Sequence, residues 1–208
     1  ITAGPTHEPI DAVRFIGNRS SGKMGFALAQ ELQSAGADVH LIAGPVQLTA
    51  PAGVHVTHVE TAVEMHKAAM VAFAQADIGI ATAAVADYRA KTVVSNKLHR
   101  DEMPPAVELE ENPDILADWG KYKKNGQFLV GFALETDQGE DSAKLKLKRK
   151  NLDFIVLNST MDPGAGFGTD TNKISIFEKN GKSHIFELKS KAAVAQDITK
   201  LIMTLLPQ

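Results

Sequence analysis

The 208 residues carry 22 Lys and Arg against 25 Asp and Glu, a formal net charge of -3, with 44% hydrophobic and 23% charged positions. A chain of this length folds as one domain with roughly 70% of its surface buried, and the composition excludes a disordered, collagen-like or coiled-coil polymer. The slight acidic excess argues against a general nucleic-acid binder, and the absence of cysteine removes disulfides, thiolate nucleophiles, iron-sulfur clusters and cysteine-based zinc sites.

Read in chain order, short β-branched runs alternate with longer amphipathic ones. Strands are predicted at 1–3, 38–43, 55–60, 78–83, 128–132 and 154–157, and helices at 22–35, 62–75, 114–121, 141–150 and 191–205. Gly36 and Asn151 are the stop signals of the first and fourth helices. Late in the chain, 173–177 and 184–188 flank Asn180-Gly181, an antiparallel hairpin with an expected type I′ turn. The fold class is therefore α/β: a Rossmann-like, mainly parallel sheet flanked by helices, with a late antiparallel β-hairpin. The stretch 87–112 is long, polar and weakly periodic, as functional loops are. The longest smooth apolar run, 78–86, is far shorter than the roughly 20 residues that cross a bilayer, so a soluble, cytoplasmic protein without membrane or nucleic-acid partners is expected. The chain starts with Ile1 directly on a strand, which suggests a single domain, 1–208, cut from a longer polypeptide.

The densest chemical signal is Gly17-Asn18-Arg19-Ser20-Ser21-Gly22-Lys23-Met24-Gly25, just ahead of the first helix. Glycines admit an anion to the backbone, and helix-terminal amides favour phosphate. The run misses a P-loop because Met24 stands where a magnesium-binding Ser or Thr is needed, and the GxGxxG of dinucleotide enzymes is absent. The simpler alternative is a glycine-rich helix start capped by Ser20 or Ser21. Ile1 to Thr6 reads as a strand then a turn, and Ala83 to Arg89 follows another strand; α/β proteins place ligands at such strand ends, although tight turns alone would look the same. In the basic run ending at Lys150, helical spacing puts Lys146 and Lys150 on one face and Lys144 and Lys148 on another. Cations complementing a helix C-terminus explain that run as well as a phosphate clamp does. The seven histidines show no metal-ligand spacing, Trp119 reads as core, and Asn112-Pro113-Asp114-Ile115 reads as a turn into a helix.

In their order, ITAGPT (1–6), the Asn18 to Gly25 run, AAVADYR (83–89), Lys97, NPDI (112–115), GFALET (131–136) and KNLD (150–153) resemble the phosphopantothenate-cysteine ligase domain of the bifunctional bacterial coenzyme A biosynthesis flavoprotein. The likeness covers nearly the whole chain. It implies CTP-dependent ligation of 4′-phosphopantothenate and L-cysteine through an acyl-cytidylate, releasing pyrophosphate and then CMP. It further implies magnesium on the nucleotide phosphates, no metal cage of protein ligands, a homodimer, and native fusion to a flavin-dependent decarboxylase domain.

Carried to this sequence, the resemblance implies that Ser20, Ser21 and Gly22 cradle the triphosphate and that Asn18 holds the substrate carboxylate and acyl-cytidylate. Lys97 would stabilise cytidylate formation from a loop, with Asn18 and Lys97 as the catalytic pair. Ala83, Asp87, Asn112, Pro113, Asp114, Ile115 and Phe132 would line the nucleotide pocket, with Lys146 and Lys150 its cations. Arg14 would take the phosphate of phosphopantothenate across a dimer interface, and Ala84 would also touch that substrate. The chain departs from the family pattern in having Leu98, His99 and Arg100 where a further lysine is frequent, and His7 where arginine is frequent. The competing readings are a Rossmann-like NAD(P)-dependent reductase and a non-catalytic nucleotide-binding module.

Overall fold

The structure, a computed structural model, describes residues 1–99, 106–135, 139–159 and 168–206. The first half runs β1 (Thr2–Ala3), β2 (His7–Pro9), β3 (Phe15–Gly17), α1 (Lys23–Ser34), β4 (His40–Ala43), β5 (His55–His58), α2 (Ala62–Phe73), β6 (Ile78–Ala81) and β7 (Tyr88–Ala90). The second runs β8 (Leu109–Glu111), α3 (Ile115–Tyr122), β9 (Phe128–Glu135), α4 (Gly139–Arg149), β10 (Phe154–Ser159), β11 (Thr171–Asn172), β12 (Ile174–Glu178), β13 (Ser183–Ile185), β14 (Lys189–Ser190) and α5 (Lys191–Leu205).

Eight strands form one sheet in the order β13-β12-β10-β9-β6-β1-β4-β5. From β10 to β5 every pairing is parallel, and β12 and β13 extend the sheet antiparallel. Because successive strand residues face opposite ways, Leu129 and Ile155 enter one core with α2, α3 and α4, while Val130 and Val156 enter another with α1 and α5. Trp119 belongs to the first core, with its ring on Phe73 at 4.9 Å and its Nε1 donating to the Ala69 carbonyl at 3.1 Å. All five helices lie where the periodicity puts them, and Gly36 (φ 92°) and Asn151 (φ 51°) take the left-handed conformation that ends α1 and α4.

Three local features differ from expectation. The strand at 78 ends at Ala81, where its ladder with β9 stops at Gly131; residues 82–84 stay alongside the first strand, the Thr82 amide donating to Thr2 O at 3.2 Å and the Ala84 amide to Gly4 O at 2.9 Å. The late hairpin has a three-residue loop; Gly181 has positive φ and Asn180 does not, and the Gly181 amide donates to Glu178 O at 3.0 Å. That is a type I turn closed by a left-handed glycine, and it replaces the two-residue I′ turn. Within 87–112, β7 and β8 pair antiparallel and carry the intervening loop on a ribbon. No helix among the described residues is long and apolar enough to cross a membrane.

Candidate functional site

A cleft of about 470 Å³ crosses the carboxyl ends of β1, β6, β9 and β10. Its first wall is the start of α1. Gly22 is the residue before the helix, its φ is 76°, and no side chain caps the helix; Ser20 Oγ accepts only from the Gly22 amide, at 3.3 Å. Lys23, Met24 and Gly25 line the cleft with their first-turn amides uncapped by any side chain among the described residues, at the positive end of the helix. Gly25 lets the helix come this close: a Cβ there would lie 2.5 Å from both Ala3 Cβ and Thr82 Oγ1.

The floor is the 81–87 segment, held to the first turn of the chain. Pro5 bridges Ala84, and buried Thr6 accepts the Ala86 amide through Oγ1 at 3.0 Å. Two motifs far apart in sequence are therefore zipped side by side, with small side chains at 83, 84 and 86 leaving room above the backbone.

NPDI and α4 form the opposite wall. Asn112 donates to Ala86 O at 2.9 Å and accepts from Arg89 at 2.9 Å, which anchors the segment before Pro113. Asp114 caps α3 by accepting the Ala117 amide at 2.9 Å and pairs with Lys150 at 2.6 Å. Burial alone would raise its carboxyl pKa; the hydrogen bond from Lys150 and the Ala117 amide outweigh that and hold it below the ordinary range. Lys146 donates to the Phe132 carbonyl at 3.0 Å, whereas Lys144 turns away to Glu140 and the Phe177 ring. The two lysines that helical spacing places on one face therefore line the cleft together, as the resemblance implies.

Of the residues the sequence singles out, Ser20, Ser21, Gly22, Ala83, Ala84, Asp87, Asn112 to Ile115, Phe132, Lys146 and Lys150 share this one cleft. Asn18, Arg14 and Lys97 stand outside its lining. Asn18 bridges to it, since Nδ2 donates to Ala84 O at 3.0 Å and Val85 O at 3.1 Å. Arg14 turns its Nε and Nη2 edge onto Asp11 and also donates to Leu98 O at 2.9 Å. Lys97 is exposed on the loop after β7. His7 lies stacked on Phe15 at 3.8 Å, and Arg100 and Thr136 lie outside the described residues.

The sequence reading missed a second cationic pair at the inner end of the cleft. Lys23 pairs with Asp170 at 2.6 Å, and Lys191, only 8% exposed, lies beside them. Burial lowers the Lys191 pKa, the neighbouring positive charge of Lys23 adds to that, and Asp170 opposes it. Asn172, 2% exposed, donates to Asn158 Oδ1 at 3.0 Å while its own Oδ1 has no partner among the described residues. One signal for Lys191 was present in the sequence: a lysine opening a helix works against the helix dipole, so its placement there calls for a reason other than helix stability. Among the described residues no group of three or more His, Asp or Glu could hold a metal ion.

The family model described as DNA/pantothenate metabolism flavoprotein C-terminal domain matches residues 1–206. A protein from an unknown prokaryotic organism, described as cysteine/cysteine sulfinic acid decarboxylase, is 51% identical over 206 residues, 99% of this chain and 57% of that protein. The coenzyme A biosynthesis bifunctional protein CoaBC of Vibrio cholerae serotype O1 is 47% identical over 204 residues, 97% of this chain and 51% of that protein. The chain therefore spans about half the length of these relatives. The crystal structure of the C-terminal domain of a coenzyme A biosynthesis bifunctional protein CoaBC matches with a TM-score of 0.85 and 40% identity, covering 99% of this chain and 93% of that one. The chain belongs to the DNA/pantothenate metabolism flavoprotein C-terminal domain family, and its likeness to the CoaBC C-terminal domain bears out the resemblance to the phosphopantothenate-cysteine ligase domain.

Proposed function

We propose that this domain joins 4′-phosphopantothenate to L-cysteine at the expense of CTP, a step of coenzyme A biosynthesis. The observation that carries the reading is the cleft itself: an uncapped helix start on one side faces the Lys146, Lys150 and Asp114 wall on the other, across a floor of small residues. Such a site suits a nucleoside triphosphate, with phosphates at the helix amides and the nucleoside toward Phe132 and NPDI. A carboxylate cannot expel oxide, so its oxygen attacks the α-phosphate of CTP and pyrophosphate departs. The amine of cysteine then attacks the acyl carbon and loses a proton as the amide forms, while the acyl C–O bond breaks and CMP departs carrying the former carboxylate oxygen. The protein's part is positioning and charge: helix amides and Lys97 meet the developing phosphate charge, and Asn18 holds the acyl group at the edge of the cleft. Magnesium would ride on the nucleotide phosphates.

Homodimerisation and fusion to a flavin-dependent decarboxylase half are part of the same proposal, consistent with relatives about twice as long. The decarboxylase name of one relative describes a protein of which this chain spans 57%. The deciding experiment is pyrophosphate release with CTP, phosphopantothenate and magnesium, before and after adding cysteine, alongside thermal-shift titration with CTP, ATP and NADPH. Preferential stabilisation by CTP with substrate-dependent release is the expected result. Stabilisation by NADPH with reduction of a substrate, or carbon dioxide release from cysteine sulfinic acid without any use of CTP, would overturn the reading.

A further inference from the structure

The tip of the β2–β3 ribbon, residues 10–14, lies against residues 94–98 of the loop that carries Lys97. Two sets of bonds join them. The Val94 amide donates to Ile10 O at 3.1 Å. Four residues on, both backbone groups of Leu98 are held: its amide donates to Asp11 Oδ2 at 3.2 Å, and its carbonyl accepts from Arg14 Nη2 at 2.9 Å. Between these staples Ser95, Asn96 and Lys97 arch outward, all three exposed.

Asp11 is the centre of this arrangement. It is 4% exposed, yet no water is needed to satisfy it. Its Oδ1 accepts the amides of Val13 and Arg14 at 2.9 and 2.8 Å, which shapes the ribbon tip. Its Oδ2 accepts the Arg14 side chain through Nε and Nη2 and the Leu98 amide, which clamps the loop. The two oxygens have separate tasks. The same ribbon leads through β3 directly into Asn18 and Ser20, so one rigid hairpin connects the loop lysine to the anion-binding run.

We propose that Asp11 is a positioning residue: by holding Arg14 and Leu98 on one carboxylate it sets the place of Lys97 relative to the Asn18 to Gly22 segment. The inference rests on the ligase reading for the role of Lys97. It assigns Arg14 a part in holding the loop through its Nε and Nη2 edge, beside any contact its remaining nitrogen makes to substrate. A carboxylate held by several donors stays ionised, and the guanidinium first, with the backbone amides of Val13, Arg14 and Leu98 after it, keeps Asp11 well below the usual carboxylate range against the opposing effect of burial.

The division of labour makes Asp11→Asn a selective test. With the amide oxygen kept on the Val13 and Arg14 amides, the new NH2 faces the guanidinium and the Leu98 N–H, donor against donor, so the tip survives and the clamp opens. We expect faster hydrogen exchange at Leu98 with exchange in β6 and β9 unchanged, and pyrophosphate release slowed about 10- to 100-fold at saturating CTP, the usual cost of a misplaced catalytic group. In a Lys97→Ala background the same substitution should slow release no further, because Asp11 acts through Lys97. Unchanged exchange at Leu98, or losses that multiply in the double variant, would overturn the proposal. If the unsubstituted protein releases no pyrophosphate from CTP, the ligase reading fails with the assignment that rests on it, while the Leu98 exchange still reports whether Asp11 clamps the loop.

Discussion

Replacing Gly25 with alanine separates the contribution of helix placement from that of side-chain chemistry, because no reacting group is removed. In an ordinary helix the change would stabilise by about 1 kcal/mol, since glycine pays more backbone entropy. Here the new methyl would lie 2.5 Å from Ala3 Cβ and 2.5 Å from Thr82 Oγ1. Ala3 Cβ is fixed to a buried strand and has no rotamer to escape into, and Thr82 Oγ1 is engaged in donating to Thr2 O at 2.6 Å. Relief requires α1 to lift from the sheet, an overpacking cost of about 1–3 kcal/mol, and loss of the Thr82 bond adds about 1 kcal/mol. The net destabilisation is then about 1–3 kcal/mol, or a fall in Tm of about 3–10 °C for a domain of this size. On the proposed function the same displacement would carry the helix amides away from the CTP phosphates, so CTP binding measured by calorimetry should weaken by about tenfold or more. A Gly25→Ala variant that melts higher than the parent and binds CTP equally well would refute the claim that close approach of α1 builds the site.

Lys150→Ala leaves Asp114 without its cation. Because the native Asp114 pKa is depressed, the pair's stabilisation is complete above the ordinary carboxylate range and disappears as pH falls through the lowered value; the stability gap between parent and variant should therefore close below about pH 4, and a gap in urea midpoints that persists at lower pH refutes the pairing. Trp119→Ala should cost about 3–5 kcal/mol in guanidinium unfolding, as it opens a cavity beside Phe73 and removes the Nε1 bond to the Ala69 carbonyl; a loss below about 1 kcal/mol would show that the ring is not core. Asn18→Asp sets a carboxylate against the carbonyls of Ala84 and Val85, and turnover followed by quenched-reaction mass spectrometry should fall about 10- to 100-fold; unchanged turnover would remove Asn18 from the machinery.

The architecture was largely legible because its signals are local. Alternating apolar runs mark the strands and their two faces, and Gly36 and Asn151 mark where α1 and α4 stop. The turn at Asn180-Gly181 was not resolved by composition, since the same dipeptide serves a two-residue or a three-residue loop and the pairing of Glu178 with Lys182 decides between them. Strand β6 ends early for a similar reason. Its ladder with β9 stops at Ala81 and Gly131, and the Ala83 amide turns to the Thr2 hydroxyl at 3.4 Å, a partner no local pattern announces.

By itself the sequence determined a cysteine-free, mildly acidic α/β domain, the glycine-rich run before α1, and the pairing of Lys146 with Lys150 on one helix face apart from Lys144 and Lys148, because helical spacing alone fixes which side chains share a face. Tertiary structure alone decided what those residues meet. It turned the net charge of -3 into a cleft with cations on both walls, adding Lys23 and Lys191, which only the packing of α5 against α1 brings together. It also joined Asp11 to Leu98 across 87 positions of sequence. Hydrogen bonds and ion pairs of that kind depend on distances that close only when the sheet is assembled, and no local pattern in the chain encodes them.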